Sequence, residues 1–178
     1  MSKTKNPIQT ESITIRMPKD ILNALRTDSS RNLESLNTGI NRILSLHVKW
    51  YRHASDARLI YFSKDFLVSL MGKVKDGDLT ELLDTQIGES FDKSATMMTN
   101  GLDPLNLLDL IDTWLIVSGF RFQHELYDNC HRFKIRLEMG EKWSKFFAAL
   151  FEYILKRVRT KDHQIKIIED ILILDIYV

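Results

Sequence analysis

Ser12, Thr14 and Arg16 alternate with Ile13, Ile15 and Met17 in the stretch "SITIRMP". In a strand, that order puts two hydroxyls and a guanidinium on one face and three apolar side chains on the other. The polar face can donate and accept hydrogen bonds, and the guanidinium offers a planar fork suited to two adjacent acceptors. The apolar face asks for a core. A lone strand also leaves its backbone N–H and C=O groups unpaired, and no second strand-like run follows until about residue 58. The expected partner is a second copy of the chain.

Two other groupings have residue types that do chemistry. His124, Cys130 and His131 fall within a short stretch, and nitrogen and sulfur ligands suit zinc, copper or nickel. Adjacent strand residues point to opposite faces, which separates Cys130 from His131. No metal site is expected there. Asp109 and Asp112 lie one helical turn apart, the usual spacing of a solvated helix face. The chain has no phosphate-binding glycine loop, no HExxH, no GxSxG and no paired-cysteine motif. Neither an enzyme nor a cofactor is expected.

The elements around "SITIRMP" give it a setting. After Pro18, "KDILNALRTDSSRN" places Ile21, Leu22 and Leu25 at helical spacing with Asp20 near the positive end of the helix dipole. The polar cluster "TDSSRNLES" is expected to interrupt this helix, with Asn32 taking the left-handed conformation that closes many helices. Ser35 is a suitable N-cap for a second helix, "LNTGINRILSLHVKWYRH", whose stripe includes Leu36, Ile40, Ile43 and Leu44. So few apolar side chains in about 45 residues cannot bury a stable core alone. Dimerisation through the strand answers both needs.

In order and in length, these parts resemble the ribbon-helix-helix family of DNA-binding repressors, over residues 11 to 50. The resemblance implies a homodimer whose paired strands enter the DNA major groove. It places Ser12, Thr14 and Arg16 at base-reading positions, where an arginine reaches guanine O6 and N7 with two hydrogen bonds. Ser35, Asn37 and Thr38 fall where the second helix grips a phosphate. Lys3 and Lys5, in a flexible basic arm over residues 1–10, are expected to add phosphate contacts. The expected dimer core is Ile13, Ile15, Met17, Leu22, Leu25, Ile40, Ile43 and Leu44. Two features depart from the family pattern: Leu33 and Glu34 stand where a glycine and a basic or neutral residue are common, and Gly39 lies inside the second helix.

Charge is divided along the chain. Residues 1–58 hold ten Lys/Arg against five Asp/Glu, and residues 59–178 hold fifteen against nineteen. A basic first segment fits an anionic partner at that end. The single cysteine makes no intrachain disulfide. No apolar run approaches the roughly 20 residues of a membrane helix, and a cytoplasmic protein with no membrane partner is expected.

Residues 58–178 read as a second domain. "RLIYF" is expected as a strand, Ser63 as the cap of helix "KDFLVSLMGKV", and Asp78 as the opening of a helix through "LTELLDTQIGESF". Asp103 and Pro104 start a helix that is apolar nearly all round. "FRFQHELY" and "HRFKIRLEM" flank the turn "DN" as a hairpin, Gly140 precedes a long helix, and "ILILDIYV" closes the chain as a buried strand. Trp143, Phe146, Phe147 and Phe151 are expected in a core or dimer contact, with an apolar effector pocket as the alternative. The fold class is therefore α+β. It comprises a ribbon-helix-helix module at 11–55 and a mixed α/β domain at 58–178 with a small, largely antiparallel sheet, for effector binding or oligomerisation. The expected function is dimeric, sequence-specific transcription regulation on double-stranded DNA, with the effector or protein partner of the second domain unknown and assembly beyond the dimer open. The alternative is an antitoxin-like interaction protein that uses the first module for dimerisation.

Overall fold

The computed structural model describes residues 9–83, 88–99, 101, 103–158 and 160–178. Lys3 and Lys5 lie outside the described residues, as does most of the expected basic arm. The chain divides between Leu44 and Ser45 into two compact units.

In the first unit, residues 12–17 belong to no helix or strand and pair with nothing among the described residues of the single chain. Helix α1 (Lys19–Arg31) begins directly after Pro18. The polar cluster "TDSSRNLES" interrupts the helical path as expected, residues 27–31 closing α1 and residues 32–35 separating it from the next helix. The Thr27 hydroxyl donates to the Asn23 carbonyl at 3.0 Å. The helix closes one residue later than expected. Asn32 keeps a φ of −86°, and Leu33 takes the left-handed conformation at 54°. The Leu33 N–H then donates to the Ser30 carbonyl and the Glu34 N–H to that of Ser29, the bond pair of a Schellman closure. Helix α2 (Leu36–Leu46) follows.

The helical path continues through a π-helical turn, His47–Tyr51, into the short α3 (Arg52–Ala54). In the second unit come α4 (Lys64–Met71), α5 (Asp76–Leu82), α6 (Gly88–Met98) and α7 (Pro104–Val117). Two sequence expectations fail here. The run "RLIYF" is not a strand: Arg58 turns the chain with a φ of 56° and the Leu59 N–H bonds back to the Ala54 carbonyl, so the segment folds against the end of α3. Asp78 does not open a helix but sits inside α5, and part of the helix expected after it falls at 84–87, outside the described residues. Caps elsewhere behave as their chemistry dictates. The Ser63 hydroxyl accepts from the Phe66 N–H at 3.3 Å, and Asp103 accepts from the Asn106 N–H at 2.9 Å with Pro104 at the first helical position.

The sheet is antiparallel throughout. Strands β1 (Arg121–Tyr127) and β2 (Cys130–Arg136) form a hairpin about Asp128 and Asn129. Helix α8 (Glu141–Val158) leads to β3 (Asp162–Ile168) and β4 (Ile171–Tyr177), giving the order β1-β2-β4-β3. The terminal strand β4 is therefore interior, in keeping with a run that is apolar but for Asp175. Strand β3 was not anticipated, although Gln164 and Lys166 alternate with Ile165 and Ile167. One sheet face carries Phe133, Ile135, Leu172, Leu174 and Ile176, all fully buried in one core with α7 and α8. Among the described residues, no helix is long and apolar enough to cross a membrane.

Candidate functional site

The first unit holds both the polar segment and the helix start that the sequence singles out. Ser12, Thr14 and Arg16 are exposed, and so are Ile13 and Ile15, at 74% and 53%. Met17, Leu22, Leu25 and Ile40 are half-buried, while Ile43 and Leu44 remain exposed. These eight residues do not close a core within one chain. At the start of α2 the Ser35 hydroxyl accepts from the Thr38 N–H at 3.1 Å and lies 2.8 Å from the Thr38 hydroxyl. Asn37 is exposed beside them. Ser35 is thus a working N-cap, and the helix dipole presents its positive end at the same place.

Both departures from the family pattern have a local use. Arg42 reaches back eight residues to Glu34, with Nη2 2.9 Å and Nε 3.3 Å from the same carboxylate oxygen. That hydrogen bonding holds the Arg42 guanidinium charged even more firmly than usual and offsets the negative charge of Glu34 near the start of α2. Gly39 is buried, and a Cβ built on it would overlap the Ser29 hydroxyl of α1. Glycine is what lets the two helices approach at this point.

The hairpin groups resolve differently from their spacing. His124 and His131 share the core-facing side of the sheet, and His124 Nε2 lies 2.9 Å from His131 Nδ1. His124 also stacks on Phe133 at 3.9 Å between ring centroids. Its other nitrogen, Nδ1, lies 2.8 Å from Asp112 Oδ2 on α7. Asp112 is therefore not part of a free solvated face, and this link had no signature in sequence spacing because it joins a helix to a strand. Asp109 points elsewhere and pairs with Lys49 at 2.5 Å. Burial, reinforced by the neighbouring His124, holds the His131 imidazole below its ordinary pKa. Cys130 is buried on the opposite side of the sheet, as strand alternation requires. Among the described residues, no group of three His, Cys, Asp or Glu side chains is placed to hold a metal ion.

The aromatic run of α8 enters the core: Phe147 and Phe151 are buried, and Trp143 and Phe146 pack against them from partly buried positions. Trp143 and Phe147 stack at 5.3 Å, and Trp114 of α7 lies 5.4 Å from Phe147. No protein-family model and no curated protein matches this chain.

Proposed function

We propose that this protein is a dimeric, sequence-specific DNA-binding transcription regulator. Residues 12–17 of two copies pair as an antiparallel ribbon that enters the major groove, with Ser12, Thr14 and Arg16 facing the base edges. Ser35, Asn37 and Thr38 at the start of α2 hold a phosphate, using the cap and the helix dipole together. The observation that carries this reading is the state of the segment in one chain. A strictly alternating stretch stands directly before two helices with its apolar residues at 74% and 53% exposure. Its pattern suits a strand, yet it has no partner among the described residues.

Selection of binding sites from a pool of randomised duplexes tests this function. The wild type is expected to enrich one motif with two related halves. Arg16→Ala is expected to lose discrimination at one base pair per half-site, worth roughly 1–3 kcal/mol each, while retaining salt-dependent binding to unrelated duplex. Enrichment of the same motif by Arg16→Ala, at equal discrimination, rejects the strand as the reader.

A further inference from the structure

The second unit contains a cavity of about 550 Å³, within the ~300–1,000 Å³ range of small-molecule sites. We propose that it binds an amphipathic carboxylate: a long acyl chain in the cavity with its anionic head at Lys64.

The lining decides the chemistry. All three tryptophans of the chain, Trp50, Trp114 and Trp143, line the cavity, together with Met98, Phe147 and Phe151. Such a wall suits an apolar body far better than a highly charged one. Among the described lining residues, Lys64 alone is charged, and no carboxylate is present. The Lys64 ammonium donates to the Gly119 carbonyl at 3.1 Å and sits 4.3 Å from the centre of the Phe120 ring. With three donors, it retains capacity for an anionic oxygen. A second polar group points the same way. The Trp50 indole N–H is buried without a hydrogen-bond partner among the described residues. An unpaired buried donor is costly, and an acceptor that enters the cavity satisfies it.

The entrance has matching character. Ile60, Tyr61 and Phe62 line the cavity yet are 72%, 65% and 54% exposed. These residues follow the turn at Arg58 and precede the Ser63 cap, so α4 fixes Lys64 beside them. Apolar side chains left in solvent beside one cation are what an acyl chain and its carboxylate would cover together. The inference stands apart from the DNA-binding reading, because every lining residue belongs to the unit at 45–178.

Tryptophan fluorescence of the full chain measures binding directly, since every tryptophan lines the cavity. The probes are octanoate, decanoate, decanol and decyltrimethylammonium, each below its aggregation concentration, with circular dichroism confirming that the fold persists. Decanoate is expected to give a saturable change and to bind at least tenfold more tightly than decyltrimethylammonium. It should also bind about fifteenfold more tightly than octanoate, following about fourfold for each of two buried methylenes. Lys64→Met is expected to weaken decanoate about tenfold and leave decanol unchanged. Trp50→Phe keeps an aromatic ring but removes the N–H, and should weaken decanoate severalfold. No saturable change with decanoate, equal affinity for the anionic and cationic probes, or full decanoate affinity in Lys64→Met would each overturn the proposal.

Discussion

Arg132 and Asp175 face each other across the two central strands, β2 and β4, on the side of the sheet away from the main core. The guanidinium makes two bonds to the carboxylate, Nε to Oδ1 at 2.6 Å and Nη2 to Oδ2 at 2.7 Å. These bonds hold the Asp175 carboxyl below its usual pKa against the opposing effect of burial. A carboxylate whose folded pKa is depressed contributes stability above its unfolded pKa, about 3.9, and loses it as pH falls through the lower folded value. Thermal melting should therefore separate wild type from Arg132→Met most at neutral pH, with the gap closing below about pH 4. A gap independent of pH would assign the pair no electrostatic role. Leu33 gives a second test, because it is 96% exposed and yet holds a φ of 54°. Left-handed backbone costs a non-glycine residue about 1–2 kcal/mol, and glycine gives back part of that through its greater loss of chain entropy. Leu33→Gly should stabilise the protein by up to about 1 kcal/mol in denaturant unfolding, although it removes a large apolar side chain.

The contact of α1 with α2 is set by one small residue on each helix. Gly39 costs α2 roughly 1 kcal/mol relative to alanine in intrinsic propensity, and its closeness to the Ser29 hydroxyl explains why that cost is retained. Gly39→Ala alone should destabilise, whereas Gly39→Ala made together with Ser29→Ala should recover the propensity gain. Additive effects in this double-mutant cycle would remove the close contact from the account. Element starts were legible wherever a side chain satisfies a backbone donor locally, as at Ser35, Ser63 and Asp103. The hairpin was legible from two alternating runs around "DN". Strand β3 was harder to read because it lies at the sheet edge, with Lys166, Ile167 and Ile168 all exposed, and so lacks the mostly apolar character of β4. "RLIYF" misled for the converse reason: its apolar side chains line a cavity entrance, and composition alone does not separate that role from a buried strand. The break between α1 and α2 was legible because Thr, Asp, Ser and Asn compete for backbone groups, and α1 closes inside that polar cluster at Arg31.

The whole molecule combines two units with different surfaces. Residues 45–178 bury a large core and need no partner to do so, whereas residues 12–44 leave the alternating segment open. The aspartate-to-histidine link was beyond sequence reading because it joins α7 to the hairpin, whereas an apolar pocket stood as the alternative for the aromatics of α8, and Trp143, Phe147 and Phe151 do line the cavity. The DNA-binding reading depends on a single structural event, pairing of residues 12–17 between two copies. Strand pairing protects backbone N–H groups from solvent, and protection that depends on a partner depends on concentration. Amide hydrogen exchange of residues 12–17 in the full chain, followed at high and low protein concentration, measures that event. The account predicts slow exchange in alternate amides at high concentration, accelerating on dilution. Exchange at the rate of an unstructured peptide at every concentration would contradict it.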